Sequence, residues 1–374
     1  MLSLPLKISL PRSKSIVIRC LIIHYLRTGI LLPIFDNDPN DIKVVYNALK
    51  TIDSQIKTSV GEVCVINVED CGAAYRFLMA VLATTPGKWL LTGTPRLLER
   101  PILPLVFFLQ TQGANIKKVE LGWRIDGRKL HIGNCEIDTS ETSQFASAVM
   151  MVKQETRDKG QERNPYIRMT ETILQKQDLA NSTLLELADW SAAVFWIANA
   201  LLNPNAHYLL KNLHFDTLQG DAAIIQWFQK KGLTFTENEF GIDIKHTNIA
   251  EIQNQIMNVL NTPDIAIIFA VLAVCYPFEL TLLGLKNLNL KESKRLDITI
   301  KELSRLTIVV KQSEDQITIH KRTQELPKEI IFDSYNDHRF VMAWSLFKNF
   351  GNVVIQNPEC VKKSYPEFPF KHYT

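Results

Sequence analysis

A chain of 374 residues is longer than one ordinary hydrophobic core requires, so the length predicts two domains. Apolar residues make up 46% of the chain and charged residues 22%, proportions typical of a soluble globular protein. The net charge of +3 argues against a general nucleic-acid binder, which presents a strongly basic face, but it leaves room for a local basic site.

Hydrophobic periodicity predicts an alternation of short strands and helices along the whole chain. The predicted strands lie at 4–10, 62–68, 89–91, 129–132, 136–138 and 279–285. The predicted helices lie at 16–26, 42–49, 145–152, 169–174, 221–231, 265–275 and 340–347, with others reaching 82 and 202, one beginning at about 103 and one running through 296–306.

The first helix, at 16–26, begins with a basic polar cluster. Ser13 or Ser15 can cap it, Lys14 projects from its start, and Arg19 follows Ser15 by four residues. A serine, a lysine and an arginine at a helix N-terminus suit a phosphate or a carboxylate. Taken alone, however, the segment fits a capped helix with exposed charges slightly better.

Later segments in the first half add further polar helix starts. Gly72 lets a ligand approach the backbone amides closely, although a simple turn explains it equally well. Arg96 and Arg100 flank Glu99, either as a salt-bridged loop or with one guanidinium aimed at a carboxylate or phosphate. Gln144 opens the helix at 145–152 with both a donor and an acceptor.

The second half contains the most charged helix entrance. Lys291, Glu292 and Arg295 precede a helical pattern, and the four-residue spacing of the two cations places them on one helix face. Glu292 could move a proton beside them. On spacing alone, a solvated charged turn is the better explanation. Asp264 stands in the same way before the apolar helix at 265–275.

Six helices share the same pattern, in which a polar cluster begins the helix and apolar residues continue it, and they recur at irregular intervals. The pattern predicts six strand–helix units, three per domain. Helix N-termini aimed at one cleft make that cleft electropositive without much net charge.

The six cysteines are scattered, without a C-x-x-C pair or a zinc-binding spacing, which predicts reduced thiols and no metal site. The N-terminus lacks the pattern of a signal peptide, and the longest apolar run, at 265–275, is too short to span a bilayer. The expected location is the cytoplasm.

Taken in order, these motifs resemble the 5-enolpyruvylshikimate-3-phosphate synthase family, the 3-phosphoshikimate 1-carboxyvinyltransferases. The likeness covers nearly the whole chain, and the segment 188–193 is similar to the Bacteroidetes branch. The motifs are Ser13-Lys14-Ser15 with Arg19, Leu91-Thr92-Gly93 through Arg100-Pro101-Ile102, Thr142-Ser143-Gln144-Phe145, Pro165-Tyr166-Ile167, Gln219-Gly220-Asp221, Pro263-Asp264, Lys291-Glu292 with Arg295, Asn336-Asp337-His338-Arg339, and Cys360 with Lys363.

The resemblance implies an α/β fold of two similar domains, each of three βαβαββ units, with the active site in the interdomain cleft. Domain I is discontinuous, residues 1–11 and 188–374, and domain II is residues 12–187. The implied partners are the substrates shikimate 3-phosphate and phosphoenolpyruvate, in the route to chorismate and aromatic amino acids. No cofactor, metal, nucleic acid or membrane partner is expected, and the family is usually monomeric.

The resemblance also implies the roles of individual residues. Asp264, Glu292 and Lys14 form the catalytic set. Shikimate 3-phosphate is held by Lys14, Ser15, Arg19, Thr142, Ser143, Gln144, Arg163, Asp264, Asn287 and Lys291. Phosphoenolpyruvate is held by Lys14, Gly72, Arg100, Gln144, Arg295, Arg339 and Lys363.

These residue types suit the implied chemistry, in which a hydroxyl adds to C2 of an enol phosphate while C3 is protonated, and the adduct then loses phosphate and a C3 proton. Asp264 is the expected base at the hydroxyl, and Glu292 the expected acid at C3 with Lys14 assisting. Which group transfers which proton stays open. Many cations are needed to hold two phosphates and two carboxylates together.

Six positions depart from the family pattern, which usually has glycine, asparagine, threonine, methionine, serine and an acid there: Arg12, Ile18, Ala73, Tyr75, Arg163 and Arg168. They leave catalytic efficiency and glyphosate sensitivity open. One alternative is the sister enzyme acting on UDP-N-acetylglucosamine, which uses a catalytic cysteine in an arginine-containing loop, whereas Cys71 lies near a different motif. A non-catalytic, anion-binding relative is the other alternative, and it requires the loss of a catalytic residue.

Overall fold

A computed structural model describes residues 4–58, 61–133, 137–155, 164–215, 218–247 and 253–369 of the chain. The chain divides into two compact units, Lys14–Leu185 and a discontinuous unit of Met1–Ser13 with Glu186–Thr374. We call these the inserted unit and the discontinuous unit.

The described residues form β-strands and α-helices in alternation. The strands are β1 Leu6–Ser9, β2 Cys64–Asn67, β3 Gly87–Thr92, β4 Asn115–Val119, β5 Gly122–Gly127, β6 His207–Lys211, β7 Leu233–Asn238, β8 Gly241–His246, β9 Gln255–Asn258, β10 Leu280–Leu283, β11 Val310–Ser313, β12 Gln316–Ile319, β13 Glu329–Asp333 and β14 Asn352–Gln356. The helices are α1 Lys14–Thr28, α2 Asn40–Thr58, α3 Gly72–Thr84, α4 Pro95–Leu98, α5 Leu103–Thr111, α6 Gln144–Lys153, α7 Pro165–Gln175, α8 Trp190–Leu202, α9 Ile225–Gln229, α10 Ala266–Cys275, α11 Arg295–Arg305 and α12 His338–Ser345.

Three four-stranded sheets within the described ranges repeat one topology. Their strand orders are β2-β3-β5-β4, β1-β6-β8-β7 and β9-β10-β12-β11. In each sheet the first two strands are parallel, which requires a crossover such as α3 or α10, and the last two strands form an antiparallel hairpin. A fourth sheet pairs β13 and β14 in parallel around α12. The repeated unit is therefore a βαβαββ arrangement, with β1 supplied from the distant N-terminus.

Two hairpins turn at glycines for the same steric reason. Gly122 and Gly241 open β5 and β8 with φ values of +143° and +141°. A Cβ atom at either position would run into the backbone carbonyl of the neighbouring strand, at Leu91 or Leu210. Only glycine fits this close approach, so the two sheets keep the same hairpin geometry.

The prediction of strands at 129–132 and 136–138 was wrong for the residues that the structure describes. Residues 128–133 and 137–139 there are irregular, and residues 134–136 lie outside the described ranges. The hairpin of this sheet is instead built by β4 and β5, which the pattern did not predict. Its edge strand buries only Ile116, so it lacks the alternation that marks a half-buried strand.

The helix predicted at 221–231 begins as a 3-10 turn over Gly220–Ile224 before α9. Within the described residues, no helix is both long enough and apolar enough to cross a membrane.

The most deeply buried helices carry the polar starts. In the discontinuous unit, α8, α10 and α12 pack in the core, and every residue of α10 is at most 2% exposed. In the inserted unit, α1, α3 and α6 pack against one another or against a common neighbour. Because such helices are largely apolar, many of their polar residues stand at the N-terminal ends, where backbone N–H groups also lack partners.

Candidate active site

In the discontinuous unit, the carboxylate of Asp264 lies among three cations. Its Oδ1 is 2.8 Å from Nη1 of Arg295 and 3.5 Å from Nζ of Lys291, and its Oδ2 is 3.3 Å from Nη2 of Arg339. Asp264 stands in a 3-10 turn over Pro263–Ile265 that leads into α10. The starts of α10, α11 and α12 therefore meet at this carboxylate.

Arg295 is the centre of the cluster. Its Nη2 lies 2.9 Å from Oε2 of Glu292, and its Nε lies 2.8 Å from Oδ2 of Asp337. A further bond joins Nη2 to Oδ1 of Asp337 at 3.2 Å, so that contact is bidentate. The Arg295 side chain is only 1% exposed. One buried guanidinium thus fixes both expected proton-transfer residues, Asp264 and Glu292, relative to each other.

The charges in this cluster support one another. Burial alone would raise the pKa of Asp264, but Lys291, Arg339 and Arg295 hold it well below its usual range. Burial likewise lowers the pKa of Arg295, but Asp337, Glu292 and Asp264 outweigh it and raise the pKa. Asp264 is therefore ionised at neutral pH, as a general base must be before it takes a proton.

Arg339 is hydrogen-bonded to Ser191, in the first turn of α8. Its Nη1 donates to the carbonyl of Ser191 at 3.1 Å, and its Nη2 donates to the Ser191 hydroxyl at 2.7 Å. That hydroxyl donates in turn to Asp189, which caps α8 through the backbone N–H of Ala192. The buried Nε of Arg339 has no hydrogen-bond partner in the part of the chain that the structure describes.

Asp221 is a further buried acid beside this cluster. Its Oδ1 is buried and lacks a hydrogen-bond partner among the described residues. Burial and the nearby Asp264 raise its pKa to about 7, against the opposing effect of Arg339. Gln219, in the same motif, accepts from the backbone N–H of Trp190 and donates to the carbonyl of Ala188, so the motif also secures the entrance of α8.

In the inserted unit, Lys14 is the first residue of α1 and pairs with an acid that the sequence reasoning missed. Its Nζ lies 3.0 Å from Oδ2 of Asp41, in the first turn of α2, and both side chains are largely buried. The hydroxyl of Ser13 is buried without a partner among the described residues, and Ser15 lies inside the helix, so neither serine is seen capping α1.

Arg19 is a buried cation with neutral contacts. Its Nε donates to the Thr170 hydroxyl at 2.7 Å, its Nη1 to the carbonyl of Ser15 at 2.8 Å, and its Nη2 to the Ser147 hydroxyl at 3.4 Å. Burial lowers the pKa of Arg19 to about 10. A buried guanidinium held by hydroxyl and carbonyl oxygens gains most from an anion that reaches it.

Gly72 and Arg100, which the resemblance assigns to the same substrate, lie against each other. A Cβ at Gly72 would lie 2.6–2.8 Å from the guanidinium atoms of Arg100, so that guanidinium rests on the glycine. On the same helix, Nη1 of Arg76 donates to Oε1 of Gln144 at 2.8 Å, and its Nε donates to the carbonyl of Pro101 at 3.0 Å. Arg76 therefore orients the side chain of Gln144 at the start of α6.

The remaining expected site residues lie at element ends. The Thr142 hydroxyl accepts from the backbone N–H of Gln144, whereas Ser143, the N-cap of α6, makes no side-chain cap bond. Asn287 precedes a 3-10 turn in the discontinuous unit, and Lys363 is buried at the end of another. Arg163 lies outside the described residues.

One local expectation was wrong. Lys291 and Arg295 do not share a helix face, because α11 begins only at Arg295 and residues 291–294 form an irregular turn. Both residues instead contact the carboxylate of Asp264, Lys291 from the turn and Arg295 from the first position of α11.

Sequence reasoning did not assign roles to several buried polar residues that hold the expected ones. Asp337 and Asp221 lie within two of the family motifs, and that position was the signal that the sequence offered for them. The others, whose pairings depend on tertiary packing, are Asp41, Arg76, Asp189 and Ser191.

Comparisons with known proteins identify the family of the chain. Residues 41–371 match the family model described as EPSP synthase (3-phosphoshikimate 1-carboxyvinyltransferase). A 3-phosphoshikimate 1-carboxyvinyltransferase of Bacteroides fragilis is 30% identical, covering 96% of this chain and 93% of the relative. One of Aliivibrio fischeri is 29% identical, covering 97% and 95%. A solved structure of EPSP synthase from Acinetobacter baumannii has a TM-score of 0.65 at 17% identity, covering 97% of this chain and 93% of that one, which is a likeness of fold.

Proposed function

The chain belongs to the EPSP synthase family, and on that basis we propose that it transfers the enolpyruvyl group of phosphoenolpyruvate to the 5-hydroxyl of shikimate 3-phosphate. The products are 5-enolpyruvylshikimate 3-phosphate and phosphate. The observation that carries the proposal is the joint fixation of Asp264 and Glu292 on the guanidinium of Arg295. It supplies two ionisable groups in one place, which an addition–elimination reaction requires.

The proposed reaction has two steps. Asp264 takes the proton of the 5-hydroxyl as its oxygen bonds to C2 of phosphoenolpyruvate, while Glu292, with Lys14, delivers a proton to C3. The tetrahedral adduct then loses phosphate from C2 and a proton from C3, which restores the double bond. The low pKa of Asp264 supports its entering the reaction as the ionised base.

The cations of both units support binding of two anionic substrates. We assign shikimate 3-phosphate to Arg19 and Lys291, together with Ser15, Thr142, Ser143, Gln144, Asn287 and Arg163. We assign phosphoenolpyruvate to Gly72, Arg100, Arg295, Arg339 and Lys363, with Lys14 and Gln144 touching both substrates. Deep burial of Arg19, Arg295 and Arg339 supports these roles, because a desolvated cation interacts strongly with an anion.

The position of Cys71 helps to distinguish shikimate 3-phosphate from UDP-N-acetylglucosamine as the acceptor, because the sister enzyme uses a catalytic cysteine. Its sulfur accepts from the backbone N–H of Ala74 at the start of α3, and the residue is 0% exposed. A buried helix-capping thiol is poorly placed to act as a nucleophile or acid, which favours shikimate 3-phosphate over UDP-N-acetylglucosamine. The scattered cysteines of the sequence, which lack a C-x-x-C pair, support a reducing, cytoplasmic location. A monomeric state remains a prediction.

The test is Glu292→Gln in the full chain. We expect turnover to fall by at least about a hundredfold while the affinity for shikimate 3-phosphate changes little, because the substitution removes an acid but keeps the side-chain shape. Glu325→Gln, an exposed acid of the same unit, is the control and should keep normal turnover. Normal turnover by Glu292→Gln would contradict its role.

A further inference from the structure

The carboxylates that contact Arg295 differ in how firmly they are held. Asp337 is 0% exposed and accepts from Nε and Nη2 of Arg295, from the Ser293 hydroxyl and from the backbone N–H of Arg339. One of its four donors is a backbone N–H, and the other three are the Ser293 hydroxyl and two nitrogens of Arg295. Asp337 therefore supports the guanidinium from a fully buried position.

Asp264 is held quite differently. Its side chain is 21% exposed, and the contacts described above are all with side-chain cations, on Lys291, Arg295 and Arg339. Nε and Nη2 of Arg295 keep their bonds to Asp337, and Nη1 and Nη2 of Arg339 keep their bonds to Ser191. Asp264 could thus leave without releasing either guanidinium from its support.

The three cations that Asp264 contacts are also those assigned to the substrates. An incoming carboxylate or phosphate that binds Arg295 and Arg339 meets the N–H groups that now donate to Asp264. Two anions on the same donors repel each other, so the incoming group must displace Asp264 or share with it at a cost.

We infer that Asp264 is an internal occupant of the anion site and sets its affinity, holding Lys291, Arg295 and Arg339 until an anionic substrate group takes them over. The inference rests on the proposed function, in which phosphoenolpyruvate takes Arg295 and Arg339 and shikimate 3-phosphate takes Lys291. The exchange has a chemical consequence. Once substrate neutralises the three cations, they no longer depress the pKa of Asp264, so its proton affinity rises when the substrate hydroxyl must be deprotonated.

The test measures anion binding without turnover. By calorimetry on the full chain without shikimate 3-phosphate, Asp264→Asn should bind inorganic phosphate and phosphoenolpyruvate at least about tenfold more tightly than the unsubstituted protein. Asp264→Glu keeps the charge and should not gain affinity. Asp297→Asn, an exposed acid on α11, is the control for the loss of one negative charge and should change the affinity by less than about twofold.

Three results would overturn the inference: unchanged or weaker anion binding by a folded Asp264→Asn protein, an equal gain in Asp297→Asn, or no binding of either probe by any variant. If Asp264→Asn does not fold, Asp264→Ser carries the same expectation. Turnover of the unsubstituted protein tests the proposed function separately. If the unsubstituted protein is inactive but Asp264→Asn still binds anions more tightly, the proposed reaction is contradicted and the displacement of Asp264 by anions is supported. If the unsubstituted protein is active but Asp264→Asn gains no affinity, the reaction is supported and the displacement is contradicted.

Discussion

Replacing Asp221 by asparagine should change how the stability of the protein depends on pH. The carboxyl has a pKa of about 7 in the folded chain against an ordinary value of 3.8, because it is buried beside Asp264. The folded state therefore binds this proton more tightly than the unfolded chain does. The contribution of the group to stability is fully present below pH 3.8 and is lost as the pH rises to about 7.

The magnitude follows from the shift of about three pKa units. At about 1.4 kcal/mol per unit, ionising Asp221 costs about 4 kcal/mol of folding free energy in total, of which about 2–3 kcal/mol falls between pH 5 and pH 8. The asparagine side chain of the D221N variant cannot ionise. We therefore expect D221N to be more stable than the unsubstituted protein at pH 8, and to lose about 2–3 kcal/mol less between pH 5 and pH 8.

The assay is urea unfolding followed by tryptophan fluorescence at both pH values. Asp36→Asn is the matched control, since Asp36 is an exposed acid whose removal should leave the pH dependence unchanged. Identical pH dependence in D221N and the unsubstituted protein would refute the reasoning, because Asp221 would then titrate normally or remain ionised at low cost.

Three further substitutions test other contacts. Gly72→Ala should displace the Arg100 guanidinium and raise the KM for phosphoenolpyruvate about tenfold with little loss of stability, and an unchanged KM in steady-state assays would count against that contact. Asp41→Asn should lower kcat about tenfold or more because Lys14 loses its partner, which a normal kcat would disprove. Asp337→Ala should reduce the free energy of unfolding by about 3–5 kcal/mol in urea titrations, since it removes the buried carboxylate that binds Nε and Nη2 of Arg295, and a loss below about 1 kcal/mol would contradict that role.

Much of the element pattern could be predicted because buried helices are long apolar runs with polar starts. The helix at 265–275 is such a run, and the structure places α10 there. The hairpin of β4 and β5 escaped prediction for the opposite reason. Its outer strand is a lysine-bearing edge whose exposed face removes the apolar alternation, so nothing local distinguishes it from a loop.

In the candidate site, residues in local motifs could be predicted from the sequence, whereas contacts between distant segments could not. Asp264, Glu292 and Arg295 could be named because they stand in compact motifs at helix starts. The bond from Arg339 to Asp264 spans 75 residues, and the bond from Arg295 to Asp337 spans 42. Such pairings depend on which helix ends the fold brings together, so residues that act through them cannot be read from spacing.

Phosphate release from phosphoenolpyruvate with different acceptors tests the proposed transfer. The purified protein is given phosphoenolpyruvate with shikimate 3-phosphate, with UDP-N-acetylglucosamine, or with neither. We expect release only with shikimate 3-phosphate, together with a product heavier than that acceptor by the enolpyruvyl group. Release with the sugar nucleotide alone, or no release with either acceptor, would contradict it.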